Sequence, residues 1–428
     1  MTSSSSIPSS ILQCSICQSI AFKSRNQLFK HIKICEVGRT VKAAAAAATS
    51  SRHAMHSTIS TGCSINGFES TTATDDDDDD GFKGAYLYVV GGRIRGKTLH
   101  TVERFSFKEG RWEDCAPMLE NRGSHGAASL NNILYVVGGG GFRSNLSSCE
   151  AFDGSSWKYV APMQESRHAL AVVSVGNSAL YSVGGWVDGT RCSNVVERYS
   201  SSTSEWQVVA PLLVARRLHG VAAYRSSPSS VVPSSGAVLD GSHSEDFYNY
   251  KIYTFGGHRD DPHWHTNSAE VYDPVTNDWR NISPMPVAGG ASAVTIHPFI
   301  FIFVYGKYVL RYDPSRDDYL RMSNLPIDEW HCFDVAVLHP RSASTSIFVH
   351  GGIVNGKWDK PLYRYCAASD KWLQLPSMKS ARRRCASAVI YAHNEEDVNM
   401  QSTIARSQSG REEEDMGMES EALKRPKI

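Results

Sequence analysis

YLYVVGGRIRGKTLHTVERFSFKEGRWEDCAP, residues 86–117, holds the pattern on which the fold turns. An apolar run of strand length ends in Gly91-Gly92, a short loop follows, and a second run, TVERF, ends in Phe105. Trp112 stands seven residues later and Pro117 five beyond that. The Gly pair then returns as Gly138-Gly139, Gly184-Gly185, Gly256-Gly257 and Gly351-Gly352, with Tyr305-Gly306 at the place of the fifth of six. From one to the next the intervals are 47, 46, 72, 49 and 46 residues. The long interval holds a Ser/Pro-rich insertion, 225–249, and removing it restores the period, so the chain is an array of one repeated unit rather than a row of unrelated domains.

The aromatic pair recurs with the glycines. Phe105/Trp112, Tyr199/Trp206, Tyr272/Trp279, Tyr312/Tyr319 and Tyr365/Trp372 share the spacing of seven, and Phe152/Trp157 is shorter by two. Each repeat ends in a strand of small residues: HGAASL, HALAVVSV, HGVAAY, ASAVTI, FDVAVL and CASAVI. The segments between turn signals are short, β-branched and aromatic, which excludes helices. A four-stranded sheet of this size cannot bury both faces alone, so neighbouring sheets must stack. The glycines allow dihedrals and close approaches closed to other residues.

In this order and spacing the pattern resembles the Kelch repeat over about residues 85 to 392. The resemblance implies an all-β fold, a six-bladed β-propeller, with segments near 85–130, 131–175, 176–224, 250–296, 297–338 and 339–392. The first repeat lacks a small-residue strand before YLYVVGG and the last leaves one spare at 385–392, so the C-terminal strand is expected to complete the first blade. Kelch proteins recruit substrates to ubiquitin ligases or bind cytoskeletal partners. The resemblance therefore implies a non-catalytic protein-interaction module, an adaptor or scaffold. Residues 1–84 show no BTB or F-box segment.

Outside the array the composition changes. Residues 10–38 contain Cys14 and Cys17, then His31 and Cys35 after a spacer of thirteen residues. This resembles a ββα zinc finger of the two-cysteine, two-histidine family with a final cysteine and a spacer one residue longer, and implies Zn2+ held by those four side chains. Lys23, Arg25, Lys30 and Lys33 leave contact with nucleic acid open beside protein docking for this finger, which carries the further alternative of a nuclear nucleic-acid-associated regulator. Residues 39–84, with Asp75–Asp80, read as an acidic disordered linker, and 393–428 as a disordered tail ending in a short basic run. Lys+Arg and Asp+Glu balance at 44 each, which excludes a whole-protein field for nucleic acid or membrane. No apolar run reaches membrane length and no secretory signal opens the chain, so an intracellular setting, cytoplasm or nucleus, with reduced cysteines is expected.

No nucleophile elbow, phosphate loop or metalloprotease motif occurs. HRDDPHWH, with His258, Asp260, Asp261, His263 and His265, is the one catalytic candidate. It carries the alternative of a metal-assisted enzyme of the Kelch oxidase or specifier kind, against the plainer reading of an exposed polar loop. Cys385 follows three arginines, whose charge favours a thiolate, but its small neighbours point to a buried strand residue. His125, His168 and His219 share a repeat position and read as structural or rim residues. The informative feature is charge. The loops after the Gly pairs and the turns before the small-residue strands open on one face, and carry seventeen basic against eight acidic residues. Arg93, Arg122, Arg167, Arg216, Arg217, Arg382, Arg383 and Arg384, with Trp186, Trp264, Trp330 and Trp358, are the expected contacts for an acidic or phosphorylated segment of a partner protein. About half of those arginines are expected to brace the fold instead.

Overall fold

The computed structural model describes residues 84–141, 144–187, 189–226, 249–260, 264–338 and 345–392, together with a strand pair near the N-terminus. That pair, Leu12–Gln13 with Ile20–Phe22, is antiparallel and belongs to a unit separate from the repeat array. No α-helix occurs among the described residues.

The array folds as six four-stranded antiparallel sheets. The first is formed by Ala386–Tyr391, Ala85–Val90, Val102–Ser106 and Arg111–Cys115. The second to sixth begin with the inner strands Gly126–Leu130, Ala171–Val175, Gly220–Arg225, Ala291–Ile296 and Asp334–Leu338. Each sheet then runs outward through three more strands. Segments and sheets are therefore offset. The small-residue strand that ends a segment pairs with the first strand of the next, as Gly126–Leu130 does with Ile133–Gly140, because a short turn joins them into a hairpin. The division at 130, 175, 224, 296 and 338 is corrected accordingly. The last small-residue strand pairs with the first apolar run, Ala386↔Val90 to Tyr391↔Ala85. This all-β arrangement of Kelch-like repeats is consistent with a β-propeller.

The recurring residues hold neighbouring sheets together. Every aromatic pair sits directly cross-strand, Phe105↔Trp112 and Tyr365↔Trp372 among them, with ring centroids 4.8–5.4 Å apart. The indole Nε1 of Trp157, Trp206 and Trp279 each donates 2.9 Å to a carbonyl of the preceding repeat, at Ala116, Ala161 and Ala210. Trp112 does the same to Pro376 at 2.8 Å.

The glycines explain the spacing between sheets. Gly91 and Gly92 have φ of +54° and +100°. A Cβ on Gly91 would lie 2.6 Å from the carbonyl oxygen of Arg122, in the turn entering the second sheet. That same oxygen accepts a 2.8 Å hydrogen bond from Gly92 N. The contact repeats at Gly138-Gly139, Gly184-Gly185, Gly256-Gly257 and Gly351-Gly352, with Arg167, Arg216, Gly289 and Arg382 as acceptors. Glycine is needed there because the sheets touch backbone to backbone.

Candidate binding face

The turns that enter the inner strands, together with the loop after the first Gly pair, carry two kinds of arginine. Arg122, Arg167, Arg216 and Arg382 are fully buried. Their guanidinium groups pair with Glu150, Glu197, Glu270 and Glu103 at 2.9, 2.9, 2.5 and 2.6 Å. Each also donates to the carbonyl of the first glycine in its own sheet's pair: Gly138, Gly184, Gly256 and Gly91. The glutamates accept from backbone amides of the arriving turn, such as Leu213 and Val214 on Glu270, and Lys379 and Ser380 on Glu103. Burial pulls the Arg167 and Arg216 guanidinium pKa down while Glu197 and Glu270 hold it up. These four are braces and offer no surface to a partner, which corrects their place among the expected contacts. The missed signal was the glutamate two residues before the repeat aromatic, in Glu103/Phe105, Glu150/Phe152, Glu197/Tyr199 and Glu270/Tyr272.

Trp330 is corrected in the same way. Its side chain is fully buried, and its indole donates 2.6 Å to Gly351 O, the bond an arginine makes in the first four sheets. Its carbonyl accepts from Gly306 N as that of Arg122 accepts from Gly92 N. Tyr363 stands where the glutamate would be, two before Tyr365, with its ring 5.8 Å from the indole. An aromatic pair thus replaces the ion pair.

The second kind of arginine is partly exposed. Arg384 lines a cavity of about 140 Å3 formed by the inner strands of all six sheets, Arg217 and Arg383 directly precede its lining residues Leu218 and Arg384, and Arg93 is bonded to Arg383. Arg93 and Arg383 exchange backbone hydrogen bonds of 2.8 and 3.1 Å. Arg384 lines the cavity and lies within electrostatic reach of Arg93 and Arg217. Among the described residues none of the four has a carboxylate within 4 Å or a side-chain hydrogen bond, and the Nε atoms of all four are buried and unpaired. Arg217 lies over the Trp186 ring at 3.5 Å and Arg383 over Trp358 at 5.7 Å. Gly123 and Gly140 leave room for Arg93, since a Cβ on either would come within 2.6 Å of its side chain.

Two histidines border this cluster. His168 bonds Asn145 Oδ1 at 2.7 Å, and His258 packs edge-on against His265 with ring centroids 4.5 Å apart. Burial first and the surrounding arginines second hold His168 down to about 4; for His258, also about 4, His265 and then the arginines follow burial. Both are neutral at physiological pH. Trp264 is 62% exposed on the same loop. Asp260 accepts from Cys192 N at 2.7 Å, so its carboxylate is turned to the backbone, while Asp261 and His263 lie outside the described residues. Among the described residues no three His, Cys, Asp or Glu side chains converge as metal ligands. His125 and His219 are buried against Gly91 and Gly184. Cys385 is buried and its thiol is pushed up to about 12, mainly by desolvation, so the adjacent arginines do not produce a thiolate. Of the remaining loop cations, Arg191, Lys307 and Lys379 pair with Glu165, Asp328 and Asp114. Cys14, Cys17, His31 and Cys35 lie outside the described residues.

The Kelch motif matches residues 84–119, 121–164, 167–213 and 247–286. The chain is 27% identical over 219 residues to Kelch-like protein 26 of Danio rerio, covering 49% of this chain and 31% of the relative. It is 28% identical over 218 residues to Kelch-like protein 36 of Mus musculus and 25% identical over 210 residues to Kelch-like protein 23 of Homo sapiens, each covering 48% of this chain. The chain spans about a third of the length of these curated relatives. Together with the sheets, these likenesses support a Kelch-repeat protein and a protein-interaction module. No helix among the described residues is long and apolar enough to cross a membrane.

Proposed function

We propose that the six sheets form a six-bladed propeller closed by Ala386–Tyr391, and that its arginine face is a non-catalytic site for an acidic or phosphorylated segment of a partner protein. The observation that carries this is the group Arg93, Arg217, Arg383 and Arg384, four cations with no carboxylate partner among the described residues, beside Trp186, Trp358 and the exposed Trp264. Unpaired guanidinium groups with open donors bind carboxylates and phosphates in bidentate fashion, and aromatic neighbours add desolvated contact area. The described chain ends at Gly84 and Ala392, and at Ser226 and Asn249, lie at the strand ends opposite the Gly pairs.

In this reading the chain works as an adaptor or scaffold, recruiting a substrate to a ubiquitin ligase or joining two proteins. Residues 10–38 would hold one Zn2+ through Cys14, Cys17, His31 and Cys35. Cobalt titration of that peptide should give tetrahedral thiolate absorption. The main test is affinity capture from a lysate with wild type and with Arg217→Glu plus Arg383→Glu, with circular dichroism as the fold check. The reading expects the captured set to be lost in the variant. An unchanged set would move the interaction off this face.

A further inference from the structure

Arg384 stands at the centre of the cluster, two residues after a brace and on the wall of the central cavity. Its neighbours Arg93 and Arg217 come from the loop after the first Gly pair and the turn into the fourth sheet. His168, among three of these arginines, and His258 stay neutral, so the local positive charge at neutral pH comes from guanidinium groups alone. Such crowding of like charges, with no carboxylate in ion-pair contact with them among the described residues and Asp260 turned to Cys192 N, calls for an anion whose charge is concentrated at one point.

An extended acidic segment does not supply that. Its side chains alternate, so carboxylates on one face recur only about every 7 Å, each with a single charge. A phosphoryl group brings roughly two charges and three acceptor oxygens to one atom, matching the guanidinium fork. We infer that the mouth of the cavity is a phosphate-recognition subsite, in which Arg384, Arg93 and Arg217 receive the phosphoryl group of a phosphorylated side chain on the partner protein. This rests on the arginine face being the binding face and narrows its ligand. Asp334 lines the same cavity and accepts a hydrogen bond from Ser387 Oγ at 2.7 Å. Stacking on Trp186 fixes Arg217 with its outer edge free to donate.

The test is calorimetric titration of the full chain with neutral Gly/Ser heptapeptides carrying one phosphoserine, one glutamate or one serine at the centre. A hexaglutamate peptide and inositol hexakisphosphate serve as further arms, all at one ionic strength. The phosphoserine peptide should bind at least tenfold more tightly than the glutamate peptide. Arg384→Gln and Arg93→Gln should each remove tenfold or more of that affinity. Arg316→Gln, an exposed arginine at the opposite end of the fifth sheet, should leave it unchanged. Equal binding of the phosphoserine and glutamate peptides overturns the phosphate subsite and leaves an acidic-segment site standing. Inositol hexakisphosphate binding tenfold tighter than the phosphopeptide in an Arg384-dependent way overturns the protein source. No binding of any peptide, hexaglutamate included, removes both readings.

Discussion

In the first four sheets the turn into the inner strand is pinned by a buried arginine–glutamate pair; in the fifth and sixth it is not. Gly289 and Leu310 occupy the two positions in the fifth sheet, with Leu310 in an apolar cluster with Met285 and Val304. Trp330 and Tyr363 occupy them in the sixth. The backbone link between sheets survives both exchanges, since Gly257 N still finds Gly289 O and Gly306 N still finds Trp330 O. The spacing of the sheets is thus set by backbone contact at the Gly pair, and the ion pair is one of three ways to fill the space behind it. The four Kelch matches fall on the four repeats whose aromatic strands carry the glutamate.

Removing one member of a pair should break this equivalence most severely. Glu270→Ala leaves Arg216 buried without its counter-charge and strips the amides of Leu213 and Val214 of their acceptor. The expected loss is about 3–5 kcal/mol in urea unfolding. Arg216→Met with Glu270→Leu, an apolar filling like that of the fifth sheet, should restore stability to within about 1 kcal/mol of wild type. If the double variant stays as unstable as the single, the two kinds of sheet are not interchangeable.

Acid should separate the sheets next. His125 and His219 in the turns into the second and fourth sheets, and His350 in the sixth, are buried and neutral. Desolvation, with Arg122 or Arg382 second, holds His125 and His350 down to about 3. Above about pH 6.5 the imidazoles are neutral in folded and unfolded chains alike. Below that the unfolded chain takes up protons that the folded chain refuses until about pH 3, so stability falls as pH falls through this window. His125 and His350 should each cost on the order of 2 kcal/mol at pH 5, and His219 acts in the same direction. Asp334 acts in the opposite sense, since burial raises it to about 6 and the folded chain takes its proton first. Melting temperatures from pH 7.5 to 5 should drop steeply in wild type and less in His219→Phe. Equal slopes would remove His219 as a source.

A smaller effect should come from the aromatic filling. Trp330→Phe keeps a six-membered ring but loses the pyrrole half of the indole and with it the donor to Gly351 O, leaving a buried carbonyl short of a partner. The expected cost is about 1–2 kcal/mol in the same urea experiment. No change would mean that packing, and not the indole bond, does the bracing in the sixth sheet.

The repeat, its strand order and the use of the last strand in the first sheet were legible in the sequence because backbone rules dictate them. Glycines at fixed φ, aromatics at fixed spacing and a spare strand leave few other arrangements. The division of the arginines was not legible. Arg216 and Arg217 are adjacent in sequence, and whether a guanidinium is buried depends on a glutamate 54 residues from Arg216, across the insertion, or in the first sheet on one 279 residues away. Trp330 looked like an anchor because its burial depends on Tyr363 and the Gly351 carbonyl, which no local pattern links to it.

The smallest predicted effect is the most discriminating. Arg382 and Arg384 are two residues apart, one buried against Glu103 and the other partly exposed with no partner among the described residues. Arg382→Gln belongs with the broken braces and should destabilise strongly. Arg384→Gln removes a charge that repels its neighbours Arg93 and Arg217, and it breaks no side-chain hydrogen bond. Its effect on stability should lie within about 0.5 kcal/mol of zero, towards greater stability at low salt, where repulsion is least screened. Raising the salt should shrink even that difference, while the difference for Arg382→Gln persists because its pair is shielded from ions. A large loss of stability in Arg384→Gln would show the cluster to be structural, and the boundary between the interior and the binding face would then lie further out than these side chains place it.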